Sequence, residues 1–403
     1  MEQTKVKSNY EVWAKELEEN YEETVAIRRH LHQHPEPSFE EKETAAYIAK
    51  KLNEYGITNV RENVGNGYGL VGKITGGHDG PTVAFRADFD ALRIHEENEV
   101  SYRSQNPGVM HACGHDSHTA ALLSVAKVLE KHKADLHGNV VLIHQNAEEV
   151  LPGGGKSMVE DGAMDGVDYV FGQHVQAGLP SGQVAYVSGY AMAAADFFDI
   201  HIQGKGGHGA SPHETVDSVI IATKLVDALQ TLVSRAINPL HPAVVTISAV
   251  HAGGEANNII ADSAIIKGTV RTYQPETRDK IQREMEVMAT SIAEMYHGTS
   301  RLDYTRGYDA VYNHPEETAR FVESLKGKID DAEVVERDAT MGGEDFGYFT
   351  QVKPGPFFNV GARNPDFDAV YPHHHPRFNI DETSMLKAGK AFMAIVEDYL
   401  SGE

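Results

Sequence analysis

Residues 111 to 120, HACGHDSHTA, hold the only cysteine of the chain together with three histidines and an aspartate. Cys113 and His115, two apart, turn toward one ion if the segment is extended. A thiolate and an imidazole suit zinc or another borderline-soft divalent metal. The plain alternative is an inert buried cysteine, since a free thiol packs as a small hydrophobe. Glu148 and Glu149 form a second telling pair, because adjacent carboxylates buried without a cation raise one another's pKa. A metal relieves that repulsion for one of them and leaves the other available as a base, whereas two exposed loop glutamates need no such account. His174 is a polar residue in the apolar run YVFGQHV, either a ligand or a satisfied core histidine. The segment YPHHHPRF offers His373, His374 and His375, and composition does not select among them.

Further groups stand elsewhere. RADFDAL carries Asp88 and Asp90, and GKGGHGASPH places His208 at the tip of a turn. Asn258 and Arg271 are able to grip an oxyanion and a carboxylate, although glycine-marked turns and a solvated strand arginine would look the same. Glu344 and Asp345 in GGEDFGYF read as acidic residues at a helix N-terminus. The stretch LPGGGKSM reads as a glycine-rich turn entering a helix, able to cradle an anion, but it lacks the ending of a nucleotide-binding loop.

The elements that must position these groups follow from apolar patterning. VAFRA at 83–87, VVLIH at 140–144 and YVFGQHV at 169–175 read as buried strands, with a helix over 118–133 between the first two. Strands alternating with helices imply an α/β layer with crossovers, whose ligand crevice lies beyond the strand carboxyl ends. Asp88, Asp90, HACGHD, QNAEE and QHV all fall at such ends. A helical pattern over 10–32 should stop before Pro35, and Ser38 with Glu41 suggests a capping box for the helix that ends at Gly56. The pattern changes near Ser188. A strand over 196–204, a helix over 216–234, strands over 243–253 and 263–273, a helix over 277–296 and a strand over 300–305 make a β-α-β-β-α-β unit. Helices over 315–325 and 382–399 return to α/β character. Periodicity does not decide whether the middle unit splits one larger domain or is the second of three.

The totals exclude several classes. With 36 Lys+Arg against 59 Asp+Glu the formal net charge is −23, which leaves no electrostatic reason to hold nucleic acid or an anionic membrane. No apolar run reaches the length of a membrane span, a single cysteine forms no internal disulfide, and the charged start MEQTKVKSNYEVW is unlike a signal peptide. A soluble cytoplasmic protein with small-molecule partners or copies of itself is expected.

Taken together, RADFDAL, GVMHACGHD, QNAEE, GQHV, GKGGHGA, the Asn-x-Ile segment, GTVRT, GGEDF and HHPRF resemble the M20 family of metal-dependent peptidases and amidohydrolases. The nearest subgroup is that of N-acyl-amino-acid amidohydrolases, hippurate hydrolases, auxin-conjugate hydrolases and N-acetyldiaminopimelate deacetylases. The resemblance implies an α/β fold, with a mixed-sheet zinc-peptidase-like catalytic domain over 1–188 and 305–403. A smaller α+β, ferredoxin-like lid and dimerisation domain over 189–304 would be inserted in it. It implies two divalent ions, zinc, manganese, cobalt or nickel, held by Cys113, His115, Glu149, His174 and His374. His115 and His174 would face one ion, Glu149 and His374 the other, with Cys113 between them. Asp90 would support the site without binding metal, and Glu148 would be the general base acting on metal-activated water. His208 and Asn258 would reach the cleft, the histidine from the neighbouring subunit of a homodimer, and Arg271 would hold the substrate carboxylate. The implied reaction is cleavage of N-acetyl or N-aroyl L-amino acids to a carboxylate and a free amino acid. Cleavage of short peptides, as by a dipeptidase or carboxypeptidase, and non-catalytic binding of N-acyl amino acids are the alternatives.

Overall fold

In the computed structural model, which describes residues 8–330 and 333–402, the apolar runs become the centre of a mixed sheet. Its eight strands run in the order Val60–Val64, Gly69–Thr75, His137–Gln145, His78–Asp88, Tyr169–Pro180, Phe357–Arg363, Val184–Tyr186, Val334–Glu336. The four strands from His137–Gln145 to Phe357–Arg363 are mutually parallel, and antiparallel pairings flank them. Parallel strands are covered on both faces, which is why Val83 to Asp88 are all buried and read as a continuous apolar run interrupted only by Arg86 and Asp88. The helices His115–Lys131 and Thr383–Leu400 pack on this sheet, with Phe85, Phe358 and Phe392 in one core cluster. The fold is α/β with a mixed sheet.

The chain divides into two compact units. One takes the described residues up to Ala191, Val311–Asp338 and those from Asp345 onward; the other takes Met192–Ala310 and Ala339–Glu344. The second unit has an antiparallel sheet of four strands in the order Ala243–Ala252, Ser263–Thr272, Ala194–Gln203, Thr299–Arg306. Its helices Ser218–Thr231 and Pro275–Met295 bury Ile221, Leu225, Leu229, Ile281 and Met285 with Phe198, Ile200 and Ile266. In chain order these elements are β-α-β-β-α-β. Asp196 and Arg278 form a buried ion pair here, and the Tyr304 hydroxyl donates to Asp196 at 2.7 Å.

Several local expectations change. The helical stretch before Pro35 is two helices, Asn9–Glu19 and Tyr21–Gln33, parted at Asn20. The capping box does not form. The helix begins at Lys42, its Glu43 and Thr44 amides donate to the Glu36 carboxylate, and Ser38 Oγ donates to Asp90 Oδ2 at 2.6 Å instead. The helix predicted from 118 starts at His115, and the strand holding His174 runs on to Pro180, so His174 lies inside a strand. Residues 1–7, part of the charged start weighed against a signal peptide, lie outside the described residues. Among the described residues no helix is long and apolar enough to cross a membrane.

Candidate metal centre

Gly114 sits between Cys113 and His115 with φ +94°, and a Cβ there would come within 2.4 Å of Val175 Cγ2. This left-handed residue turns the chain sharply into the helix N-terminus, so that the side chains on either side of it converge. Cys113, His115 and His174 each offer a ligand atom within 4.8 Å of the others, and so do Cys113, Glu149 and His374. Cys113 is common to both groups. Of the three consecutive histidines it is His374 that joins, with φ +64° and its main-chain N–H donating to Ala112 O at 2.8 Å. Glu148, buried in the same place, falls within the same limit of His115 and Glu149.

The ring orientations leave ligating atoms inward. His115 Nδ1 lies 3.1 Å from Asp90 Oδ1, and its Nε2 is buried with no hydrogen-bond partner. Glu149 Oε1 is likewise without a hydrogen-bond partner, 3.4 Å from His374 Nε2 and 3.8 Å from His115 Nε2. His174 Nδ1 lies 2.5 Å from the Val175 carbonyl, which directs Nε2 to Cys113 Sγ at 3.4 Å.

Electrostatics point the same way. Burial, then Glu149 and Glu148, push the Cys113 thiol well above its ordinary range. His115 is pushed up to about 10; burial opposes this, but Asp88, Asp90 and Glu149 outweigh it. Burial holds His174 well below the ordinary imidazole range. A pocket that gathers a thiol and two carboxylates, and draws a proton onto a histidine, carries a surplus of negative groups that a cation would balance. The orphaned His115 Nε2 and Glu149 Oε1, with the shared sulfur, fit a pair of divalent metal ions.

Asp90 is buried beside these groups and accepts the Glu149 main-chain N–H at 3.0 Å through Oδ2. His118 and Arg86, which were not singled out by residue type, tie Asp88 and Asp345 into the same buried network. Asp88 Oδ1 takes the Nδ1 proton of His118 at 2.6 Å, and His118 Nε2 accepts the Val175 N–H at 2.9 Å, next to His174. Arg86 spans Asp88 and Asp345 at 2.6 and 2.9 Å, all three fully buried. Asp345 is therefore not an ordinary helix-terminal acid. From the glycine-rich turn, the Gly155 N–H donates to Asp345 Oδ2 at 2.9 Å. His118 was findable, since it falls three residues after His115 on one helix face. The Arg86–Asp345 pair spans 259 residues and left no local signal.

In the smaller unit, His208 and Asn258 come together on a two-stranded ribbon. His208 pairs with Ile259, and the Gly209 N–H donates to Asn258 O at 2.7 Å. His208 and Asn258 are both exposed. Arg271 stands apart from them on the four-stranded sheet, half-buried, with its guanidinium 5.7 Å from the Phe197 ring centroid and its Nη1 turned to Thr269 Oγ1.

Comparison with known proteins agrees with this architecture. The sequence profile of peptidase family M20/M25/M40 matches residues 84–398. The chain is 43% identical over 297 residues to the N-acyl-L-amino acid amidohydrolase of Geobacillus stearothermophilus, covering 73% of this chain and 79% of that one. It is 40% identical over 374 residues to thermostable carboxypeptidase 2 of Saccharolobus solfataricus, covering 92% and 94%. Among solved structures, the YXEP protein of Bacillus subtilis, described as a dinuclear metal binding peptidase, superposes with TM-score 0.81 at 32% identity, covering 94% of this chain and 98% of that one. A sequence match over most of the length, and the same fold at that identity, place this chain in peptidase family M20/M25/M40, as a hydrolase.

Proposed function

We propose that this protein hydrolyses the amide bond of N-acyl L-amino acids, N-acetyl or N-aroyl, to a carboxylate and a free amino acid. The observation that carries the reading is the pair of ligand groups joined at Cys113, with Glu148 beside them. Cys113, His115 and His174 would hold one divalent ion, and Cys113, Glu149 and His374 the other. When bound, such ions supply Lewis acidity that makes a water acidic and a carbonyl electrophilic.

Glu148 is not needed to complete either group of three, so its carboxylate serves as general base. It takes a proton from the attacking water and delivers it to the departing nitrogen, so that the C–N bond breaks to a neutral amine and a carboxylic acid, which then releases its remaining proton to become the carboxylate. Asp90 orients His115 and Glu149 so that the pocket is formed before substrate arrives. His208 and Asn258 would donate to the developing oxyanion, and Arg271, which has no carboxylate partner among the ion pairs of the described residues, would grip the α-carboxylate. The unit that carries these three residues would act as lid and dimerisation domain of a cytoplasmic homodimer, with His208 supplied across the dimer.

The similarity to a carboxypeptidase favours one second reading, cleavage of short peptides. Both are tested by assaying released amino acid from N-acetyl and N-benzoyl amino acids and dipeptides. The protein would be purified without strong chelator and loaded in turn with zinc, manganese, cobalt and nickel. Preferred release from the acyl amino acids supports the main reading, and preferred release from dipeptides the second. No release from any of them, at full metal loading, rejects both.

A further inference from the structure

Two histidines face the Cys113 sulfur, and main-chain atoms of one strand give their rings opposite roles. The Val175 carbonyl only accepts, so His174 carries its proton on Nδ1 and turns a bare Nε2 toward the sulfur at 3.4 Å. His373 Nδ1 lies 3.8 Å from the same sulfur, while its Nε2 accepts the Ala177 main-chain N–H at 3.0 Å. A main-chain N–H only donates and cannot reverse, so the His373 proton sits on Nδ1, 3.8 Å from Sγ, and the Cys113 main-chain carbonyl also accepts from this ring. The structure places Gln176 Oε1, an acceptor, 3.1 Å from the same Nε2; since the Ala177 N–H already fixes that nitrogen as an acceptor, the amide must be turned end for end so that its NH2 faces the ring. The ring is wedged between Phe378 and His174, with centroids 5.1 and 5.2 Å away.

We propose that His373 donates an N–H···S hydrogen bond to the Cys113 thiolate when that sulfur holds divalent metal, as a positioning residue that tunes the electron richness of the sulfur. This rests on the metal reading above. A thiolate beside Glu148 and Glu149 is strongly electron-rich, and a fixed donor behind it draws off part of that charge. Hydrogen bonding around a ligating cysteine sulfur is a recognised lever on the metal it holds. The three consecutive histidines then divide their work. His374 belongs to a ligand group, His373 stands behind the sulfur, and His375 stacks on Tyr371 at 4.7 Å, outside both roles.

Cobalt(II) is the probe, because a thiolate bound to it gives a near-ultraviolet charge-transfer band whose energy falls as the sulfur becomes more electron-rich. With one cysteine in the chain, the band belongs to Cys113. His373→Gln places an amide where Nε2 now lies, keeping an acceptor for the Ala177 N–H and leaving nothing at Nδ1. His373→Asn does the reverse, keeping a donor near the sulfur. The glutamine variant is expected to move the band to longer wavelength and to weaken cobalt binding about 10- to 100-fold. The asparagine variant should leave the band in place while lowering the unfolding midpoint. An unmoved band in the glutamine variant, or an equal shift in both, overturns the proposal and leaves the metal reading standing. Should the glutamine variant not fold, the asparagine variant decides alone, an unmoved band supporting the proposal and a shifted one overturning it. Absence of any thiolate band in the unaltered chain overturns the metal reading and this inference with it.

Discussion

Asp90 and His115 meet at 3.1 Å, Oδ1 to Nδ1, and the same carboxylate accepts the Glu149 N–H through Oδ2. One buried group thus aims a histidine from one element and the main chain of a glutamate from another at the same point. Asp90→Ala should lower metal affinity about 10- to 100-fold, the ordinary cost of losing such an orienting partner. Competition against a chelating dye measures this, and unchanged affinity would remove the orienting role.

Glu148→Gln should keep the metal content of the parent and lose about 10²- to 10⁴-fold in turnover, the range for an acid–base group. Elemental analysis and a single-substrate assay on the same preparation give both numbers. Turnover within about tenfold of the parent, at equal metal, assigns the base elsewhere.

Cys113 belongs to both ligand groups, so Cys113→Ser should diminish both ions together. A hydroxyl keeps its proton and is a poor anionic ligand. Metal per chain after dialysis is the readout, and one ion retained at parental affinity would show that the sulfur is not shared.

Glu41 is fully buried, its Oε1 accepts the Ala147 N–H at 2.8 Å, and its Oε2 has no hydrogen-bond partner. Burial, with Asp90 adding to it, pushes its carboxyl up to about 8. The folded chain therefore keeps a proton that the unfolded chain has released. Stability contributed by this group falls as pH rises from the ordinary carboxylate range, and the full cost stands above about pH 8. Glu41→Gln keeps an acceptor for Ala147 and should stabilise metal-free protein at pH above that value by a few kcal/mol at most, with little effect in mild acid. Denaturant midpoints on both sides of the window test the sign, and a gain that does not depend on pH would contradict it.

In the smaller unit, Arg278→Ala would leave Asp196 charged, 1% exposed and without its main partner. Removing one member of a buried pair costs roughly 3–5 kcal/mol, and a denaturant midpoint unchanged by the substitution would show that the pair contributes little.

Much of this was legible along the chain because its signals are local. The strand runs, the helix after HACGHD and the change of pattern near Ser188 each express a periodicity that a short window carries. Where local signals competed, contacts from afar won. Ser38 satisfied the spacing of a capping box but found the Asp90 carboxylate, and the Asp345 carboxylate found Arg86 and the Gly155 amide.

By itself the sequence determined the ligand chemistry: a lone thiol, histidines beside it, paired glutamates at a strand end, and the order in which they occur. Residue types alone did not select among three adjacent histidines, where the family resemblance pointed to His374; only the tertiary structure brought Asp88 and Asp345 together through Arg86 and decided which ring nitrogen faces the sulfur. Those choices depend on main-chain atoms of Ala112, Val175 and Ala177, which every residue possesses alike and no composition distinguishes. Side-chain type sets what a group can bind; the direction in which it binds is set by backbone partners that sequence brings near only after folding.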